Sequence, residues 1–148
     1  MIDYKALCAS LHSLIHGVPH TIANLANASA LLYHSLESIN WAGFYLVCSD
    51  KLILGPFQGK TACIEISFDR GVCGACASSG KTVRVDDVHK FPGHIACDCA
   101  SNSEIVVPIH VAGQIWGVLD IDSPLIGRFT EEDKAGLEQF ARILEQIL

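Results

Sequence analysis

Glu104-Ile105-Val106-Val107-Pro108-Ile109-His110-Val111-Ala112-Gly113-Gln114-Ile115-Trp116-Gly117-Val118-Leu119-Asp120-Ile121-Asp122-Ser123 is the stretch that decides the fold. Two runs rich in Ile, Val and Leu, residues 104–111 and 114–123, flank the dipeptide Ala112-Gly113, which is the spacing of an antiparallel hairpin. Side chains alternate along a strand, so Asp120 and Asp122 share a face. A turn at 112–113 places Glu104 opposite residue 121 or 122. Three carboxylates therefore meet at the outer end of a hairpin whose other residues are mostly apolar. A solvated strand end would look the same, but crowded carboxylates also push one pKa up, giving a proton donor beside ionised partners that hold a cation.

Upstream of the hairpin, residues 40–48, 51–58 and 61–68 are short segments rich in aromatic and β-branched residues, separated by Ser49-Asp50 and Gly59-Lys60. They read as successive antiparallel strands. Residues 4–36 read as a helical hairpin: Leu7, Leu11, Leu14 and Ile15 recur at three- and four-residue spacing, Gly17 and Pro19 punctuate, and Ile22, Leu25, Ser29, Leu32 and Leu36 resume the stripe. Small residues dominate 71–80, giving a short helix at 72–77 ended by Gly80, with a strand at 82–88 after it. Residues 89–102 read as an irregular loop, and 131–148 as a terminal helix N-capped by Thr130, with Asp133 three residues on. This order predicts an α+β domain, a central antiparallel sheet with the N-terminal helical hairpin and the C-terminal helix packed on it.

A chain of 148 residues is the size of one domain, so residues 1–148 are expected to share a single core. Ten Lys+Arg against sixteen Asp+Glu give a net charge of −6 with no clustered basic residues, which argues against nucleic acid as a partner. The longest apolar stretches, such as residues 22–32, are interrupted by Asn and Ser and do not suit a bilayer, so no membrane association is expected. Met1-Ile2-Asp3-Tyr4-Lys5 does not open a secretory signal, making a cytoplasmic, thiol-reducing compartment the default.

Seven cysteines, about 5% of the chain and odd in number, fall below the ~8–10% of a disulfide-built scaffold. Cys8 and Cys48 read as small buried hydrophobes. Cys73-x-x-Cys76 and Cys97-x-Cys99, with His89 and His94 nearby, raise zinc, but the second pair is CxC rather than CxxC, so no metal is expected. A thioredoxin-type dithiol would need a βαβ setting that antiparallel strands do not supply. What remains is a reactive cysteine on the 89–102 loop, Cys97, with one or more resolving cysteines. A thiol of pKa ~8.5 is only about 3% thiolate at pH 7, and Asp98 and other nearby carboxylates disfavour the anion further. Trp41 and Tyr45 share a face of their strand while Phe44 takes the other, which suits either core packing or an aromatic wall facing a ligand. His12, His16, His20 and His34 share no ligand geometry and read as surface or interface residues.

Asn40-Trp41-Ala42-Gly43-Phe44-Tyr45, Gly55-Pro56-Phe57-Gln58-Gly59-Lys60, Arg70-Gly71-Val72-Cys73-Gly74, Asp86-Asp87-Val88-His89, Phe91-Pro92-Gly93-His94-Ile95-Ala96-Cys97-Asp98, Ser101-Asn102-Ser103-Glu104-Ile105-Val106-Val107-Pro108 and Gly117-Val118-Leu119-Asp120-Ile121-Asp122-Ser123 closely resemble the free methionine-(R)-sulfoxide reductases, enzymes built on a GAF domain. Seven blocks in one order cover nearly the whole chain. The resemblance implies that Cys97 attacks the sulfoxide sulfur of free methionine-(R)-sulfoxide and becomes a sulfenic acid. It also implies that Cys63 resolves it, that Cys73 is a further resolving thiol, and that thioredoxin is the external reductant with no cofactor. Glu104, Asp120 and Asp122 would bind the ammonium and serve the sulfoxide oxygen, Asp122 being the lead for the acid, while Trp41 and Tyr45 line the pocket. A homodimer is expected on the same basis, with the helical hairpin as its interface. Cys76 and Cys99 lie outside the pattern. The competing expectations are a non-catalytic GAF sensor of a small molecule or redox state, which has no need of three spaced thiols, and a zinc-stabilised adaptor.

Overall fold

The computed structural model describes residues 2–93 and 100–148. Helices α1 (Tyr4–Ile15) and α2 (Thr21–Ser35) are followed by strands β1 (Trp41–Cys48), β2 (Lys51–Gly59) and β3 (Glu65–Ser67), helix α3 (Gly71–Ser79) and strand β4 (Val83–Val85). A 3-10 turn at Val88–Lys90 precedes β5 (Ser103–Val111), β6 (Gln114–Ser123) and α4 (Glu131–Glu145). The six strands form one sheet in the order β3-β2-β1-β6-β5-β4, with every neighbouring pair antiparallel. This is the expected α+β architecture. Among the described residues no helix is long and apolar enough to cross a membrane.

Alternation along the strands divides the interior into two layers. Ala42 and Phe44 of β1, Ile105, Val107 and Ile109 of β5, and Leu119 and Ile121 of β6 face a core closed by α1, α2 and α4. The intervening residues, Trp41, Tyr45, Val106 and Val118, face the other way and meet α3. α3 is made of small residues, so it lies close on the sheet. It ends at Gly80, whose φ of 67° closes the helix in the left-handed region, with its N–H bonded to Cys76 O.

Three elements are shorter than their sequences suggest. The third strand covers only Glu65–Ser67 instead of 61–68, because the carbonyls just before it are taken by side chains: Trp41 Nε1 donates to Lys60 O (3.0 Å) and Tyr45 Oη to Cys63 O (2.8 Å). The strand expected at 82–88 stops at Val85, since the Asp87 carboxylate accepts from His89 N and starts the 3-10 turn. α4 ends at Glu145 rather than Leu148, its last residues tightening into i to i+3 bonds such as Ile147 N to Leu144 O (3.1 Å).

The start of α4 carries the expected cap in full. Thr130 Oγ1 accepts from Asp133 N and the Asp133 carboxylate accepts from Thr130 N, a reciprocal capping box. Asp133 also accepts from Tyr4 Oη (2.6 Å) and pairs with Arg128 Nη1 (3.1 Å), tying α1 to α4. Thr130→Ala is expected to lower stability by about 1 kcal/mol. The readout is a lower denaturant midpoint at unchanged slope.

Candidate active site

Two strand registers assemble the site. In the first row Trp41 of β1 lies opposite Asp122 of β6, which lies opposite Glu104 of β5. In the next row Gly43 pairs with Asp120 and Asp120 with Val106. Glu104 therefore faces Asp122 across the hairpin, one of the two positions expected from the turn. Gly43 is required here: a Cβ on it would collide with Phe57, whose ring stacks on Trp41 with centroids 5.1 Å apart. Trp41 in turn lies 6.0 Å from Tyr45, forming one aromatic wall.

α3 closes the layer from above and sets Cys73 over the carboxylates, its Sγ 4.0 Å from Glu104 Oε2. Trp41, Tyr45, Cys73, Glu104, Asp120 and Asp122 line a single pocket, which Thr61, Ala62, Ile66, Arg70, Gly71, Val72 and Ser101 complete. Glu104 is 8% exposed and Asp120 5%. Removal from water is the main cause that raises the Glu104 carboxyl well above the usual range, followed by the charges of Asp120 and Asp122. Burial also raises Asp120, against hydrogen bonds from Glu104 and Cys73 that favour its anion. The same burial, with Asp120 next, pushes up the Cys73 thiol. On the pocket floor all three groups, Glu104, Asp120 and Cys73, are thus shifted toward their protonated forms, with burial the first cause in each. That combination suits a ligand carrying both positive charge and an oxygen in need of a proton.

Cys63 lies beside the pocket rather than in its wall. Its carbonyl anchors Tyr45, and its sulfur is in a disulfide, while Cys8, Cys48, Cys73 and Cys76 are free. Cys97 lies outside the described residues, as do His94 and Cys99 of the weighed zinc set. His89 Nε2 lies 3.0 Å from Asn102 Oδ1. Cys76 is fully buried one turn along α3 from Cys73. The sequence reading missed the contribution of Arg70, Gly71, Val72 and Ser101. A signal existed, since Arg70 at the start of the small-residue helix is not a capping residue type, and the helix N-terminus has no side-chain cap.

The GAF domain family matches residues 10–148. A free methionine-R-sulfoxide reductase of Escherichia coli is 55% identical over 98% of this chain and 88% of its own length. The chain belongs to the free methionine-R-sulfoxide reductase family. Two structures of that family extend the likeness to the backbone. The Staphylococcus aureus protein, in complex with substrate, shares 50% identity over 100% of this chain and 97% of that one, with a TM-score of 0.96. The Neisseria meningitidis free methionine-R-sulfoxide reductase, in complex with its substrate, shares 44% identity over 97% and 87%, with a TM-score of 0.94. Every strand of the sheet and the α3 roof fall within the matched GAF region.

Proposed function

We propose that this chain reduces free methionine-(R)-sulfoxide to methionine. The observation that carries the proposal is the convergence of Glu104, Asp120 and Asp122 on one pocket beneath the Trp41–Tyr45 wall, in a chain that is 55% identical to a protein of that activity. The substrate is a compact zwitterion. Its ammonium is matched by Asp120 and Asp122, its carboxylate by the uncapped amides of α3, and its methyl group by the aromatic wall.

Oxide does not leave sulfur unprotonated, so the reaction needs an acid beside the thiol. Glu104 fits that part better than Asp122, because it is the more deeply buried and its proton is held by two neighbouring carboxylates. Cys97 attacks the sulfoxide sulfur, the S–O bond breaks, the oxygen passes to Cys97 as a sulfenic acid, and methionine leaves. Cys63 then displaces that oxygen as water, forming a Cys63–Cys97 disulfide, and thioredoxin dithiol reduces it by exchange. The disulfide at Cys63 supports this choice of resolving residue over Cys73, which is a free, buried thiol. The scheme uses no resident cofactor. It includes a homodimer through α1 and α2, where Leu14 and Ile22 stand 43% and 65% exposed.

The assay is methionine release from free methionine-(R)-sulfoxide with dithiothreitol or thioredoxin. A non-catalytic GAF sensor would bind the compound and release nothing. Cys63→Ser is expected to keep one fast turnover and to lose sustained thioredoxin-dependent cycling. Full thioredoxin-dependent cycling in that variant would remove Cys63 from the scheme.

A further inference from the structure

Cys73 from α3, Glu104 from β5 and Asp120 from β6 bring one sulfur and two carboxylate oxygens within 4.8 Å of one another, all three residues buried. Among the described residues neither carboxylate is in an ion pair, the bridges of the chain lying elsewhere. A second observation is independent of that crowding: Asp120 Oδ1, on a side chain 5% exposed, has no hydrogen-bond partner. A buried carboxylate oxygen left unpaired is costly, and it belongs to a residue that lines the pocket.

We propose that Cys73, Glu104 and Asp120 form a binding site for a thiophilic divalent cation, with Zn2+ as its representative. One thiolate and two carboxylates are the donor number of an open zinc site, leaving the fourth position for water in the pocket. The sulfur selects against Mg2+ and Ca2+, which prefer all-oxygen surroundings. Bonds of ~2.3 Å to sulfur and ~2.0–2.2 Å to oxygen at tetrahedral angles put the donors about 3.5 Å apart. The Cys73 Sγ to Glu104 Oε2 distance of 4.0 Å is therefore already within about half an ångström of that geometry. Binding releases the thiol proton and the carboxyl proton to solvent as the two bonds form. The cation occupies the pocket floor, so it excludes the substrate. That exclusion rests on the reductase proposal, while the site itself does not.

The test uses the full-length, thiol-reduced chain, titrated anaerobically with Zn2+ against a chromophoric zinc chelator. Wild type is expected to take up one more equivalent than Cys73→Ser. Asp120→Asn keeps all seven thiols and the side-chain volume, and is expected to weaken the same equivalent at least about 10-fold. Circular dichroism establishes that each variant is folded. Unchanged stoichiometry in Cys73→Ser, or wild-type affinity in folded Asp120→Asn, overturns the site. Free methionine-(R)-sulfoxide in excess is expected to raise the apparent Kd for Zn2+. If it does not, and both variants behave as stated, the metal site stands and the failure belongs to the proposed substrate.

Discussion

A Cys97→Ser chain is expected to release no methionine from free methionine-(R)-sulfoxide with either reductant, not even in a single turnover. The alcohol does not ionise near neutral pH, and an oxygen in its place cannot become a sulfenic acid or end in a disulfide, so both halves of the cycle are removed at once. Methionine binding should stay within a few-fold of wild type. The flanking residues favour Cys97 as the attacking thiol. Gly71 N, at the first residue of α3, donates to Gly93 O (3.0 Å), and Ser101 lines the pocket, so the described residues Gly93 and Ser101 both lie near the site. Wild-type activity in Cys97→Ser would refute the assignment.

Glu104→Gln is expected to cut kcat by about 10²–10⁴-fold, the range supplied by a positioned acid. Its pH behaviour is the sharper test. Burial, then Asp120 and Asp122, raise the folded-state pKa of Glu104 far above its ordinary 4.5, so the active, protonated form is lost as pH rises through the raised value. The wild-type rate should fall on that alkaline side, and the variant's residual rate should not follow the same fall. Stability moves with the same sign. A carboxyl whose pKa is raised by folding stabilises fully below its unfolded value and loses that contribution as pH rises through the folded one. Wild type should therefore weaken toward alkaline pH while Glu104→Gln stays flatter and becomes the more stable of the two. A variant with full activity and the wild-type pH profile would move the acid to Asp120 or Asp122.

The hairpin at 104–123 was legible in the sequence because one alternating pattern specifies both its core face and its polar face. Glu104 opposite Asp122 follows from counting back from Ala112-Gly113, and Trp41 and Tyr45 on one side of β1 follow from strand periodicity. Residues 61–64 were not legible as irregular chain. Their apolar and β-branched composition reads as strand, and only the contacts from Trp41 and Tyr45, distant in sequence, show why Lys60 O and Cys63 O leave the ladder. Which carboxylate keeps its proton was equally out of reach, because that depends on how far each is removed from water and from its neighbours. Glu104 and Asp122 differ in that respect although they sit side by side in the register.

That register has one further consequence. Ile105, Leu119 and Ile121 alternate with Glu104, Asp120 and Asp122, so sliding β5 or β6 by a single residue would drive the acids in among Phe44, Leu119's neighbours and the three large helices. Misaligned pairing would therefore be penalised by the very groups proposed to serve the substrate. The acids act as alignment marks for the sheet as well as the proposed reagents, so folding fidelity and the proposed chemistry rest on the same three positions.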